Sequence, residues 1–507
     1  MKNYYITTPI YYVNDVPHIG SAYTTLACDV IARFMRLSGK NVRFLTGTDE
    51  HGQKVEKSAI LAGMNPKDFL DKVSGRFREL CNAMNFSNDD FIRTTEPRHI
   101  KAAQALWQKL IASGDIYLGS YDGWYSVRDE AFYNESELTE NGLAPTGAPV
   151  EWVSEPSYFF ALSKWQDRLV EFYEKNPDFI RPESRRNEVI SFVTSGLTDL
   201  SVSRTSFKWG ISVPGDDAHI MYVWLDALTN YISALGYPDE TEDFKKFWPA
   251  DAHIVGKDIT RFHAVYWPAF LMAADLEPPK TIIAHGWWTN EGQKISKSLG
   301  NVIDPIALVE EFGLDSVRYF LMREVIFGND GNFSRHQLAA RINSELANKI
   351  GNLSQRTISF AVKECSGIPE LDSNFIDIAY QDNLLIATSE ALGVMTDAMN
   401  RYDISSVMDI IIKLADMANV YIDKEAPWTL KKTDRKKMQE VLYILLEAIR
   451  YIGIYLLPFV PDSASAMLDQ IGVSTENRSF KHLSKTYALR PGMALSAPSP
   501  IFPRVEV

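Results

Sequence analysis

The chain is 507 residues long, 46% hydrophobic and 23% charged, with a formal net charge of −13. That length calls for roughly two to four domains with sizeable cores, and the composition is that of an ordinary soluble chain, which excludes a low-complexity or fibrous one. Net acidity argues against a nonspecific nucleic-acid binder, although the excess is uneven: residues 331–507 are nearly neutral and the acidic surplus lies in residues 1–330.

Met1-Lys2 leads straight into strand-like sequence, Tyr4 to Thr8, leaving no room for a signal or transit peptide. The turn formers Asn14, Asp15 and Pro17 follow. From His18 apolar residues recur at helical spacing, at Ala22, Leu26, Ala27, Val30, Ile31 and Phe34. His18, in the string His18-Ile19-Gly20-Ser21, therefore stands where a strand hands over to a helix. Free backbone N–H groups and the positive end of a helix dipole suit such a place to phosphates. Gly20 has no side chain to hold a ligand off the backbone. A tight turn bearing a surface histidine accounts for this string alone equally well.

Gly39 closes the helix, and Asn41 to Thr46 reads as a second strand, so strand, helix and strand imply a right-handed crossover and a parallel sheet. Asp49 then falls at the carboxyl edge of that sheet, where it suits either an ammonium group or a helix N-cap. Residues 53–115 look helical, most clearly over Ala102 to Ile111. From Ile116 to Thr146 the texture turns to Gly, Tyr, Asn and short β-like runs, which predicts inserted hairpins. Trp224, Ala227, Leu228 and Tyr231 stand at i, i+3, i+4 and i+7, one face of a helix; such a stripe is plain core or the wall of an aromatic pocket. Ala252 to His263 reads as strand, turn and helix start, with Asp258 at the turn able to accept from ribose hydroxyls. Thr281 to His285 supplies another strand. The cationic loop Lys294-Ile295-Ser296-Lys297-Ser298-Leu299-Gly300-Asn301 comes next.

Asp304-Pro305 is a helix cap with proline at the first helical position, and Asn332 to Ser334 marks a linker. Residues 335–507 read as long amphipathic helices in an antiparallel bundle. Within it Asn352 and Arg356 lie four apart on one helix face, and Trp428 follows Pro427 at a helix start. An amide and a guanidinium read base edges and an indole stacks on an unpaired base; surface polar residues and a core tryptophan are the plainer readings. The cluster Lys431, Lys432, Arg435, Lys436 and Lys437 suits a phosphate backbone or a solvated helix start. Val441 to Val460, interrupted by Glu447 and Arg450, reads as a bundle helix and not a membrane span. Cys28, Cys81 and Cys365 are far apart, which fits a reducing compartment and excludes a four-cysteine zinc knuckle.

The His-Ile-Gly turn near the start, paired with the Lys-Ile-Ser-Lys-Ser loop after the last sheet-like segment, resembles the double signature of class I aminoacyl-tRNA synthetases. With the pocket and C-terminal residues, nearly the whole chain looks like the methionyl-tRNA synthetase family. The resemblance implies an α/β fold: a Rossmann-like parallel-sheet catalytic domain in two halves, 1–115 and 206–290, interrupted by a small connective insertion, 116–205. A lysine-loop and stem-contact region, 291–334, and an all-α anticodon-binding bundle, 335–507, would follow. The implied reaction joins L-methionine and ATP, carried as its Mg2+ complex, into methionyl-adenylate and passes the methionyl group to tRNA(Met), initiator tRNA included.

By the same resemblance His18, Lys294 and Lys297 are catalytic, and with Gly20, Ser21, Gly256 and Asp258 they bind ATP. Asp49 takes the methionine α-amino group, and Ile10, Tyr12, Trp224, Ala227, Leu228, Tyr231, Ile259, Phe262 and His263 form the rest of the methionine site. Such a pocket needs aromatic and apolar walls for the thioether and a hydroxyl to donate to its sulfur. Asn352, Arg356 and Trp428 read the anticodon. Two departures stand out. Ser21 replaces the usual second histidine of the first motif, which puts more of the charge stabilisation on Lys297. Where many relatives carry cysteine-ligated zinc, Tyr125-Ser126-Val127-Arg128-Asp129-Glu130 has no cysteine, so no structural zinc is expected and aromatic packing of Tyr121, Trp124, Tyr125 and Phe132 should hold the insertion. The insertion is too small for a separate editing domain, and the chain is expected to be a cytoplasmic monomer without membrane contact. The rival readings are a synthetase for leucine, valine or isoleucine, and a non-catalytic tRNA-binding scaffold.

Overall fold

A computed structural model describes the chain except for Met1, Asn14, Asp15, Glu130, Asn134, Glu240, Ser296 to Leu299, Ser373 and Val507, and except for the side chains of Tyr121, Asp122, Ala131, Phe132, Ser136 and Glu155. The turn formers Asn14 and Asp15, and Lys297 of the cationic loop, thus lie outside the described residues.

At the centre is a parallel sheet of seven strands. β1 (Asn3–Thr7), β2 (Tyr11–Tyr12) and β4 (Asp90–Arg93) all pair with β3 (Asn41–Asp49). Beyond β1 the sheet continues through Ala252–Gly256, Ile282–His285 and Ile180–Arg181, in that order and again parallel. Parallel strands are covered on both faces, and neighbours that point opposite ways, Tyr5 and Ile6, Phe44 and Leu45, Ile254 and Val255, are all buried. α1 (Ile19–Leu37) makes the first crossover; its small and aliphatic residues let it sit deep between the sheet and the helix Leu314–Arg323.

Residues 53–115 depart from the helical expectation. α2 (Gln53–Leu61), α3 (Pro66–Ala83) and α4 (Pro97–Ala112) form, but β4 intervenes, aligned with β3 from Leu45 opposite Asp90 to Thr48 opposite Arg93. Four residues are too few to show a period of two, and this strand exists because β3 supplies its hydrogen bonds. The following stretch is likewise mixed. Ile116–Ser126 pairs antiparallel with Glu151–Phe160 along a ten-residue register, with Ala131–Tyr133 and Leu200–Ser201 at the edges. Two helices, Gln166–Lys175 and Glu183–Thr194, follow, and between them Ile180–Arg181 rejoins the parallel sheet.

The expected linker at Asn332 is also a strand: Gly331–Phe333 pairs parallel with Trp288–Asn290, which turns back on Gln293–Lys294. A three-residue strand is specified by this distant partner and not by its own pattern. Beyond it the chain is helical, centred on Arg435–Leu456. That helix keeps Glu447 and Arg450 inside because they pair with each other at 2.9 Å, and the Tyr380 hydroxyl lies 2.9 Å from Glu447 and 3.1 Å from Arg450. Arg318 joins bundle and sheet: fully buried, it donates to Asp29 of α1 at 2.7 Å and to the carbonyls of Met84, Pro458 and Phe459 at 2.9–3.0 Å. Among the described residues no helix is long and apolar enough to cross a membrane.

Candidate active site

At the carboxyl ends of β1 and β3 the sheet opens into a cleft of about 760 Å³. Its floor is the N-terminus of α1, organised by His18. The His18 Nδ1 accepts from the Gly20 N–H at 3.0 Å, while the Ser21 hydroxyl accepts from the His18 N–H at 3.1 Å and donates to the His18 carbonyl at 2.8 Å. This reciprocal cap fixes Nδ1 as the acceptor, so a neutral ring carries its proton on Nε2. It also accounts for two residues of the motif. A Cβ on residue 20 would stand 2.8 Å from the His18 Cε1 and 3.0 Å from Nδ1, and Ser21, expected to reach phosphate or ribose, has its hydroxyl engaged in the cap.

The described residues at either end of the late cationic loop, Lys294, Ile295 and Val302, line the same cleft. The Ile19 N–H at the start of α1 donates to the Ile303 carbonyl at 3.1 Å, just past that loop. Its base is closed by Asn290 donating to the Asn301 carbonyl at 2.9 Å and by Asn301 donating to that of Lys294 at 3.1 Å. Lys294 is exposed, lines the cleft and lies 5.7 Å from the Trp287 ring centroid, the opposite number of Lys257 at 4.5 Å. The Trp287 Nε1 donates to Asp258 at 3.0 Å, and Asp258 lies so close to Gly256 that a Cβ there would be 2.5 Å from its Oδ1. Trp287 was not among the expected site residues; its only signal in the sequence is a place between the last strand and the lysine loop.

The other end of the cleft is aromatic and apolar. Ile10, Tyr12, Asp49, Trp224, Ala227, Leu228, Tyr231, Ile259 and His263 line it, with Gly20, Ser21, Gly256 and Asp258 toward the α1 end. Phe262 does not line it; it stacks on Trp224 with centroids 3.7 Å apart and planes 5° from parallel, holding that indole from behind. The His263 Nδ1 meets the Ile259 carbonyl at 2.9 Å and its Nε2 meets the Tyr231 hydroxyl at 2.7 Å. Burial drives the His263 pKa down to about 4, so the ring is neutral. With Nδ1–H donating to the carbonyl, Nε2 must accept from Tyr231. The Tyr231 proton is therefore directed at His263 and not at a ligand sulfur, which corrects the expected donor role; toward the cleft Tyr231 offers its ring and oxygen.

In the bundle, Asn352 is exposed and Arg356, on the same helix, pairs with Asp423 at 2.9 Å. The Arg356 guanidinium stands 5.4 Å from the ring centroid of Trp428, which is 43% exposed and so not a core anchor. Within the basic cluster, Lys431 pairs with Glu364 at 2.7 Å, Lys436 with Asp372 at 3.1 Å and Lys437 with Glu440 at 4.0 Å. Most of that charge is answered locally, as in a solvated helix start.

In the inserted sheet, Trp124 packs edge-on to Trp152 at 5.4 Å and the Tyr125 ring is buried under Arg204 at 5.6 Å. Tyr121 and Phe132 have side chains outside the described residues. Asp129 accepts from Tyr133 at 3.1 Å, from Arg128 at 3.2 Å and from Thr146, which ties the hairpin ends together. Among the described residues no three His, Cys, Asp or Glu side chains are grouped to hold a metal ion.

A helix cap and Lys294 facing one cleft at the carboxyl edge of a parallel sheet are the arrangement of a class I aminoacyl-tRNA synthetase, and the family model of class I tRNA synthetases (M) matches residues 4–148 and 136–358. The model of the anticodon binding domain of methionyl tRNA ligase matches residues 378–507. Among similar proteins, the methionine–tRNA ligase of Rickettsia felis is 66% identical over 508 residues, covering 100% of this chain and 99% of that one; that of Rhizobium meliloti is 52% identical over 99% and 98%. The structure of Mycobacterium tuberculosis methionyl-tRNA synthetase in complex with methionyl-adenylate superposes with a TM-score of 0.95 at 46% identity, covering 99% of this chain and 100% of that one. The chain belongs to the methionyl-tRNA synthetases.

Proposed function

We propose that this chain activates L-methionine with ATP and transfers the methionyl group to the 3′ end of tRNA(Met), initiator tRNA included. The observation that carries the reading is that the His18 cap, Lys294 and the Asp49–Trp224–Tyr231 wall line one cleft. The methionine carboxylate attacks the α-phosphorus in line and pyrophosphate leaves; the terminal ribose hydroxyl then attacks the adenylate carbonyl and AMP leaves. Such chemistry rests on alignment and charge stabilisation and needs no protein nucleophile.

In this reading the His18 Nε2 and the α1 N-terminus face the phosphates, Lys294 and Lys297 meet the charge that builds on the β- and γ-phosphates, and Asp258 holds the ribose. Magnesium arrives with ATP. Asp49 takes the ammonium group, and the neutral wall of Trp224, Ala227, Leu228 and Tyr231 takes the thioether. Asn352, Arg356 and Trp428 meet the anticodon on the bundle. The enzyme works as a cytoplasmic monomer without structural zinc, which metal analysis and sedimentation check. ATP–pyrophosphate exchange across a panel of amino acids tests the whole: methionine should dominate. Preference for leucine, valine or isoleucine, or no exchange with any amino acid, would overturn it.

A further inference from the structure

Behind the methionine wall lies a buried polar group that the reaction does not use. Asp226 sits on the six-residue helix Val223–Leu228, whose other faces carry Trp224, Ala227 and Leu228 into the cleft. Its carboxylate is fully buried and takes a different imidazole on each oxygen: the His51 Nδ1 lies 2.6 Å from Oδ2 and the His99 Nε2 lies 2.7 Å from Oδ1. His51 follows Asp49 by two residues, just past the end of β3. That segment is fixed in its turn: the Trp209 Nε1 donates to the Glu50 carbonyl at 2.7 Å, and the Gly52 N–H donates to the Trp209 carbonyl at 3.1 Å. His99 belongs to α4, and its Nδ1 meets the Ser233 hydroxyl at 2.9 Å, two residues past Tyr231. One carboxylate thus ties together the segment bearing Asp49, the helix bearing Trp224, Ala227 and Leu228, and, through His99 and Ser233, the short helix Asn230–Ser233 bearing Tyr231.

A helix of six residues cannot hold its own place by internal hydrogen bonds, because nucleation outweighs so few of them. Apolar packing by neighbours such as Leu225 and Ile232 buries area but is non-directional and tolerates sliding. Short hydrogen bonds to an ionised group are directional and strong. Burial raises the Asp226 pKa, but the two imidazoles outweigh it and hold the carboxyl below the usual carboxylate range, so the tie is charged at neutral pH.

We propose that Asp226 is a positioning residue: pinned between His51 and His99, it sets the distance from Asp49 to the Trp224–Leu228 wall and so the length of amino-acid side chain that the cleft accepts. The proposal rests on the reading of that wall as the methionine site. Binding alone discriminates one methylene by about 10–200-fold, a margin that slack of a fraction of a bond length would erode.

The test is exchange kinetics with methionine and with its longer homologue ethionine, on wild type, Asp226→Asn, His51→Ala and His51→Gln. Asp226→Asn keeps the volume and removes the charge. It and His51→Ala should raise the KM for methionine by ~10-fold or more with kcat and the KM for ATP within ~3-fold, and narrow the methionine-over-ethionine ratio of kcat/KM by ~5-fold or more. His51→Gln, which restores a donor, should recover most of that ratio. If Asp226→Asn does not fold, the His51 pair carries the comparison. Variants that keep the wild-type ratio, or that lose methionine and ATP affinity alike, overturn the ruler while leaving the methionine reading intact. A wild type that activates neither amino acid overturns that reading and the ruler with it.

Discussion

Replacing Gly20 with alanine puts the catalytic turn under test without touching a reactive group. The new Cβ would stand 2.8 Å from the His18 Cε1 and 3.0 Å from Nδ1, closer than a carbon can rest, so the imidazole must rotate out of its cap and give up the bond from the Gly20 N–H. Two stability effects then oppose each other. Losing an N-cap bond costs ~0.5–2 kcal/mol, whereas glycine to alanine near a helix start returns up to ~1 kcal/mol. The net effect on the fold should therefore lie between a gain of ~0.5 and a loss of ~2 kcal/mol. Activity has no such offset: if the His18 Nε2–H is aimed at the phosphates by this cap, its displacement costs one preorganised donor, or ~100-fold in the rate of adenylate formation. ATP–pyrophosphate exchange measures the second quantity and a thermal melt the first. The double variant His18→Ala/Gly20→Ala should be no slower than the slower single one, because both remove the same group. Exchange within ~3-fold of wild type for Gly20→Ala would refute the role given to the cap.

Arg318→Met leaves Asp29 a buried carboxylate short of one partner and takes the donor from three carbonyls, so urea unfolding should show a loss of ~3–5 kcal/mol, partly recovered by adding Asp29→Asn; a loss under ~1 kcal/mol would contradict it. His253, His263 and His285 are all held below the ordinary histidine range by burial, His263 to about 4. Below about pH 6.5 such a ring takes up its proton more readily in the unfolded chain, so His263 contributes its full stability above that pH and loses ~1.4 kcal/mol per unit as pH falls toward 4, while His253 and His285 act in the same direction. Urea midpoints at pH 7.5 and 5.5 should show the decline, His263→Gln should lessen it, and an unchanged midpoint would count against it. Trp428→Ala should cut tRNA charging by ~10-fold or more, the scale of one lost base stack, and leave pyrophosphate exchange unchanged; equal damage to both would make Trp428 structural.

Much of the site was legible because its signals are local. A strand, turn formers and a helical apolar period place His18 at a helix start, and the i, i+3, i+4 spacing puts Trp224, Ala227 and Leu228 on one face of Val223–Leu228, while Tyr231, expected on that same face, falls on the next short helix, Asn230–Ser233, and still lines the cleft. Cap chemistry is equally local: Asp304 before Pro305 caps its helix by accepting from the Ile306 N–H at 2.8 Å. Short strands escaped for the opposite reason. β4, Ile180–Arg181 and Gly331–Phe333 have too few residues to carry a period, and their hydrogen bonds come from chain far away in sequence.

By itself, then, the sequence determined which residue types were available and which elements would present them, since propensity, period and capping act within a few residues. Tertiary structure alone decided what those residues face. Asp226 reads as an unremarkable helix residue until folding sets His51 and His99 against its two oxygens. Tyr231 reads as a donor to a ligand until His263, kept neutral by burial, claims its proton. Hydrogen bonds and burial belong to pairs of groups brought together from distant positions, and that pairing exists only once the chain has folded.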